Sequence, residues 1–139
     1  MAWLLVAAAI MALHQFLITF GFGQLPNVFV GSVWNWQGKL LALTATLCIA
    51  ALPGFGWRRV GLTLTQAEGS LRPATIAMVA YCALFSLIAL FFPGGHTTSD
   101  EVAFQLTMPG LEEEPFYRGV LFLALDQAFR GRVRLLGAD

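Results

Sequence analysis

The amino-acid sequence predicts an all-α membrane protein, a partial helical bundle of about four transmembrane helices. Two observations support this prediction. Of the 139 residues, 58% are hydrophobic and 12% are charged, and the mean hydropathy is +0.72. An ordinary soluble domain is about 45–50% apolar and about 25% charged. The apolar residues also gather in four segments that approach the roughly 20 residues needed to cross a bilayer. We expect a single membrane domain over residues 1–139.

The first segment is long enough to cross a bilayer, whereas the second is long enough only under certain conditions. Residues 2–22 are apolar over their whole length and lack the basic start of a cleavable secretory signal, so we expect a retained span. The second segment, 39–57, has an uninterrupted apolar stretch only over residues 40–52. It crosses the bilayer only if the Lys39 side chain snorkels to one membrane surface and residues 53–57 complete the other end.

The third and fourth segments follow after a short polar connection. Residues 73–92 begin with Pro73, which suits the first turn of a helix, contain no charge, and stop at a Pro-Gly-Gly breaker. They form the clearest span of the set. The fourth segment, 102–129, is apolar at both ends but carries three consecutive glutamates, Glu112 to Glu114, in its middle.

The positions of the arginines predict the orientation, because basic residues are retained in short cytoplasmic loops. One group of arginines lies between the second and third segments and another follows the fourth: Arg58, Arg59, Arg72, Arg130, Arg132 and Arg134. Four spans with both termini in the cytoplasm place both groups on that side. The zero net charge gives no reason to expect a nucleic-acid partner, and the expected surroundings are the lipid bilayer.

The three glutamates are predicted to lie deep in the membrane. If the fourth segment starts at Val102, then Glu113 and Glu114 are roughly 17 Å from its outer edge, near the middle of a hydrocarbon core of about 30 Å. A charged side chain facing lipid there costs about 3 kcal/mol on insertion scales. The glutamates are therefore expected to face the protein interior or a wet cavity.

Helical geometry gives the glutamates different neighbours. Glu114 and Arg118 are four residues apart with the acid first, which favours an ion pair on one face. Glu113 is turned about 100° from Glu114, so it is expected to be the carboxylate left free. Glu112 is turned a further 100° and cannot share a face with both others.

Two prolines are expected to open the helix around these carboxylates. Pro109 and Pro115 both remove hydrogen bonds from the helical ladder, which a membrane tolerates only where the loosened backbone is buried or lines a cavity. Carboxylates in such a hydrated stretch can bind a cation, relay a proton or activate a water for hydrolysis. They can also simply brace the helix against its neighbours.

The run Glu113-Glu114-Pro115-Phe116-Tyr117-Arg118-Gly119 resembles the EExxxRG signature of the CAAX-protease and bacteriocin-processing (CPBP, or Abi) family of intramembrane proteases. The resemblance implies an intramembrane endopeptidase of the bacterial plasma membrane that hydrolyses membrane-associated peptides or proteins. Glu113 would activate a water as general base, Glu114 would help to hold that water, and Arg118 would fix the carboxylates. The family has been described both as metalloproteases, which implies a divalent metal such as zinc, and as enzymes with a glutamate- and histidine-activated water.

The sequence departs from the family pattern in its histidines. The family places FxxxH and HxxxN motifs in spans after EExxxR, whereas His14 and His96 both precede Glu113 and neither stands in such a motif. We expect His14 to be a packing or hydrogen-bonding residue and His96 to be solvated. The sequence thus favours a truncated peptidase, or one that obtains histidines from a partner chain. The alternatives are a non-enzymatic protein that transports protons or cations through its glutamates, and a membrane scaffold.

Overall fold

The computed structural model describes residues 2–63, 65, 67–92, 94–95 and 98–129. All regular structure in these residues is helical, as the sequence predicts, and it falls into four stretches. The first three are α1 (Ala2–Gln24), α2 (Trp36–Ala50) and α3 (Leu71–Phe91). The fourth is continuous and consists of α4 (Ser99–Met108), two π-helical segments, π1 (Pro109–Glu113) and π2 (Pro115–Leu121), and α5 (Phe122–Phe129).

The described residues divide into two compact units. One unit contains the residues up to Leu62 and those from Asp100 onward, and the other contains the residues from Thr63 to Ser99. The glutamates belong to the first unit together with α1 and α2. The second unit consists mainly of α3.

One face of α1 is buried because small and apolar residues recur on it at helical spacing. Ala7, Ile10, His14 and Gly21 are its buried residues, and intervals of three, four and seven place all of them on one side of a helix. This stripe packs against α2, π2 and α5. His14 is the polar member of the stripe, so its ring points into the protein.

Helix α2 begins with a side-chain cap and packs through small residues. The Asn35 side chain accepts a hydrogen bond of 2.9 Å from the Gly38 N–H, which satisfies one of the unpaired amides of the first turn. The buried face of α2 continues through Ala42, Thr46 and Ala50. Small side chains at this spacing let the α1 and α2 backbones approach closely.

An apolar core joins the N-terminal part of the first unit to its C-terminal part. It consists of buried residues from α1, from the end of α2 and its following turns, and from π2 and α5: Ala7, Ile10, Ala50, Phe55, Val60, Phe116, Val120, Leu123 and Ala124. Phe116 and Val120 are almost completely buried. This packing fixes the π2 segment, and therefore the arginine of the motif, relative to α1.

A second cluster secures the start of the fourth helical stretch. Trp36 packs against Phe104 at 5.1 Å between ring centroids, and Met108 completes the cluster. The Trp36 indole N–H also donates a hydrogen bond of 2.9 Å to the Asp100 carboxylate. These contacts hold α4 against the beginning of α2, one turn before the chain enters the π segments.

Two of the four predicted spans coincide with helices long and apolar enough to cross a membrane, namely α1 and α3. Pro73 lies in the first turn of α3, as predicted. The other two segments have different shapes. Helix α2 covers 15 residues and ends at Ala50, and residues 51–61 form turns, so the segment 39–57 is helical only in its first part.

The predicted fourth segment, 102–129, lies inside the continuous helical stretch from Ser99 to Phe129. Its helical character is therefore confirmed, although Pro109–Glu113 and Pro115–Leu121 wind as π-helix. The predictions for His96 and for the arginines from Arg130 onward lie outside the described residues.

Candidate functional site

The helix opens at the glutamates because of its two prolines. Pro109 begins π1 and Pro115 begins π2, and neither residue has an amide hydrogen to donate. The Glu114 N–H bonds to the Pro109 carbonyl, five residues back, which is the π-helical pattern. The predicted opening of the helix is thus present as a widened helical turn, and such π-bulges occur frequently at functional sites.

Glu112 is the fully buried glutamate of the three. Its relative exposure is 0%, and it lies between side chains of two other helices. The Glu112 Oε1 atom is hydrogen-bonded to His14 Nε2 of α1, and the Oε2 atom accepts a hydrogen bond of 2.8 Å from the Lys39 ammonium of α2. A buried carboxylate needs such partners because an unpaired charge in the interior is very costly.

Lys39 also binds the neighbouring glutamate. Its Nζ atom lies 2.7 Å from Glu113 Oε1, so one ammonium joins Glu112 and Glu113. The expectation that Glu113 is the unpaired carboxylate is therefore wrong. The Lys39 side chain is only 15% exposed, and its amine pairs with these two carboxylates.

Glu114 points in a different direction, toward Arg118. The Arg118 Nε atom lies 2.8 Å from Glu114 Oε2, which confirms the ion pair predicted from the four-residue spacing. The side chains are 49% and 80% exposed, respectively. Glu112 thus shares a partner with Glu113 but not with Glu114, which agrees with the prediction that Glu112 cannot share a face with both others.

His14 is held on several sides. Its ring stacks on Phe116 with the ring centroids 3.5 Å apart, and it meets Tyr117 edge-on at 5.7 Å. The Gln15 amide nitrogen lies 3.4 Å from His14 Nδ1 and 3.4 Å from the Tyr117 hydroxyl. The expectation that His14 is a packing and hydrogen-bonding residue is confirmed, and its hydrogen-bond partner is a glutamate beside the motif.

The Glu114–Arg118 pair borders an open cleft of about 310 Å³. The opposite wall is the turn at residues 60–62, and small residues of the π segments, among them Gly119, complete the lining. A β-carbon at Gly119 would lie 2.6 Å from the Val60 carbonyl oxygen. The absence of a side chain at this position therefore lets the turn approach the π2 segment and form the cleft.

The described residues do not fit a metal centre. A divalent metal such as zinc requires at least three protein ligands when it is catalytic, and no three histidine, cysteine or acidic side chains converge in the described part of the chain. The Lys39 ammonium occupies the position between Glu112 and Glu113 where a cation would have to bind.

The sequence motif predicts Glu113, Glu114 and Arg118 as site residues but does not predict the other half of the site. The local pattern places Lys39 at the end of a span and His14 in a packed helix, without joining the two. A sequence signal for both exists: each is a polar residue within an apolar helical segment, and such residues usually pair with one another. The pattern alone did not show that both meet Glu112.

Comparison with family models, with curated proteins and with solved structures gives no match for this chain. The resemblance to the CPBP family therefore rests on the motif from Glu113 to Gly119.

Proposed function

We propose that this chain is a membrane protein that carries the glutamate motif of a CPBP-type intramembrane endopeptidase. The observation that supports the proposal best is that each motif glutamate has its own cation. Lys39 binds Glu113 at 2.7 Å, and Arg118 binds Glu114 at 2.8 Å. Two adjacent carboxylates held in this way in an opened helix are suited to bind and activate a water molecule.

In the proposed reaction Glu113 is the general base. Lys39 engages its Oε1 atom, and the Glu113 side chain is 43% exposed, so Oε2 is available to accept a proton from water. The water oxygen then attacks the carbonyl carbon of the peptide bond, the C–N bond breaks, and Glu113 returns the proton to the leaving amine. Glu114, fixed by Arg118, would hold the water or the substrate at the edge of the 310 Å³ cleft.

The membrane assignment rests on the span-length apolar helices α1 and α3. The proposed location is the bacterial plasma membrane, with both termini cytoplasmic and with peptides or proteins at the bilayer as substrates. The histidines of the family pattern would come from a partner chain, while His14 already contacts Glu112 from the other side.

A peptide-cleavage assay tests this proposal. The full chain in proteoliposomes, alone and with membrane proteins that copurify with it, is incubated with a fluorescence-quenched farnesylated peptide ending in a CAAX sequence. General-base catalysis accelerates a reaction about 10²–10⁴-fold, so Glu113→Gln should lower the rate of peptide cleavage at least about a hundredfold. Glu68→Gln, the same change at an exposed turn, is the matched control. Equal cleavage by the wild type and Glu113→Gln would disprove the assignment.

A second candidate function is proton transport. It is favoured by the hydrogen-bonded series His14–Glu112–Lys39–Glu113, which leads from a buried ring to a half-exposed carboxylate. Series of titratable groups of this kind form proton relays in membrane proteins. The same proteoliposomes, loaded with a pH-sensitive dye, separate the two functions. Flux that disappears in Glu113→Gln without any peptide cleavage would favour transport.

A further inference from the structure

Lys39 lies at the point where carboxylates from neighbouring positions converge. Its ammonium is 2.8 Å from Glu112 Oε2 and 2.7 Å from Glu113 Oε1. These are the distances of strong, charge-assisted hydrogen bonds. Glu112 is completely buried, while the Glu113 side chain is 43% exposed. The ammonium therefore connects a fully buried acid with one that is partly exposed.

The backbone that carries Lys39 is fixed independently of these acids. Lys39 follows Gly38, whose N–H donates a hydrogen bond to the Asn35 side chain. The Asn35 amide in turn donates a hydrogen bond of 3.0 Å to the Ile18 carbonyl of α1. Gly38 and Gly21 stand in direct contact between the two helices. The first turn of α2 is thus anchored to α1, and the Lys39 side chain extends from a rigid base toward the π segments.

The role of Glu112 follows from its burial. Glu112 lies just before the EExxxR motif, and with 0% exposure it cannot contact a substrate. A buried carboxylate can nevertheless hold a cation in place, because separating the pair would leave an uncompensated charge in the interior. Its second partner, His14, fixes the orientation of the Glu112 carboxyl group from the α1 side.

We propose that Lys39 is a positioning residue for Glu113 and that Glu112 is the buried counter-ion that keeps Lys39 there. Lys39 then fixes the Glu113 side chain in one position through the hydrogen bond to its Oε1 atom, and a general base must be held within reach of its proton. This inference rests on the proposed function for its catalytic meaning. The geometric part, in which Lys39 fixes the position of the Glu113 side chain, is independent of any activity.

The other charged and titratable groups near this contact do not replace Lys39. Arg118 is engaged by Glu114 on the other side of the helix. His14 contacts Glu112, and Tyr117 packs edge-on against the His14 ring. Among the described contacts, Lys39 thus provides the cation bound to Glu113.

The test uses a double variant so that loss of folding does not obscure the result. Lys39→Met alone removes the ammonium from the buried Glu112 and leaves His14 as its partner, which is expected to destabilise the protein. In Lys39→Met/Glu112→Gln the buried charges are removed together, so folding should be retained, but Glu113 has lost its ammonium. Lys39→Arg keeps the positive charge. A purely structural role for Lys39 predicts that the double variant behaves like the wild type at Glu113.

The readout is the modification of Glu113 by dicyclohexylcarbodiimide, a lipid-soluble reagent that attacks protonated carboxyl groups, measured by mass spectrometry in proteoliposomes. Glu113 should react at least about tenfold faster in the double variant than in the wild type, because its Oε1 atom is no longer engaged in a charge-assisted hydrogen bond with Lys39, whereas Lys39→Arg should react at nearly the wild-type rate. Glu114, which stays paired with Arg118, is the control within the same molecule. Equal rates at Glu113 in the double variant and the wild type would overturn the inference.

The peptide-cleavage assay on the same preparations separates the two proposals. If Glu113 reactivity depends on Lys39 but no cleavage occurs, the peptidase function fails and the positioning of Glu113 stands. If cleavage requires Glu113 but the double variant keeps full activity and normal Glu113 reactivity, the peptidase function stands and the role of Lys39 is refuted.

Discussion

A close backbone contact between α1 and α2 leads to a quantitative prediction. Gly21 of α1 faces Gly38 of α2, and a β-carbon added at Gly21 would lie 2.4 Å from the Gly38 Cα atom. Carbon atoms in van der Waals contact are about 3.5–4.0 Å apart. Because the obstructing atom belongs to the backbone, rotation of a side chain cannot relieve the overlap. The two helices must separate by about 1 Å or more.

The expected cost follows from a matched comparison of Gly21→Ala and Gly23→Ala. Both positions lie in α1, and a β-carbon at Gly23 meets no atom within 4 Å. Both variants gain the higher helix propensity of alanine, about 1 kcal/mol, so the difference between them isolates the clash. Overpacking of this kind costs about 1–3 kcal/mol. We therefore expect Gly21→Ala to be less stable than Gly23→Ala by this amount.

The assay is unfolding by sodium dodecyl sulfate in mixed micelles, followed by circular dichroism, for the wild type and both variants. Separation of α1 from α2 should also weaken the site, because His14 and Lys39 approach Glu112 from these two helices. If the free energies of unfolding of Gly21→Ala and Gly23→Ala agree within about 0.5 kcal/mol, which is the size of an ordinary surface effect, the close contact does not exist as described.

The remaining predictions concern the cleft and the buried glutamate. Gly119→Ala places a β-carbon 2.6 Å from the Val60 carbonyl oxygen, whereas the β-carbon of Gly110→Ala meets nothing within 4 Å. Only Gly119→Ala should therefore destabilise the protein, by about 1–3 kcal/mol in the same unfolding assay. Equal stability of the two variants would contradict the packing of the turn against π2. His14→Leu removes a hydrogen bond from the buried Glu112 and should cost about 1–3 kcal/mol. His14→Gln, which keeps a donor, should cost less, and equal losses in both would show that the ring contributes by packing alone.

The parts of the site that were predictable from the sequence depend on residues close together in the chain. The Glu114–Arg118 pair follows from the four-residue spacing on any helical turn, and the opening of the helix follows from Pro109 and Pro115. The wrong prediction for Glu113 has a similarly clear origin. Its partner, Lys39, is 74 positions away in the sequence, and no local pattern joins the two.

The sequence by itself determined the all-helical architecture, the two span-length helices α1 and α3, and the widened turn at the glutamates. Each of these depends on local composition, on hydrophobic periodicity or on the missing amide of proline. Only the tertiary structure decided which glutamate is buried and which cation binds it. That outcome depends on the close approach of α1 and α2 and on the π-helical turns, which together bring His14 and Lys39 to Glu112 across 98 and 73 positions of the chain.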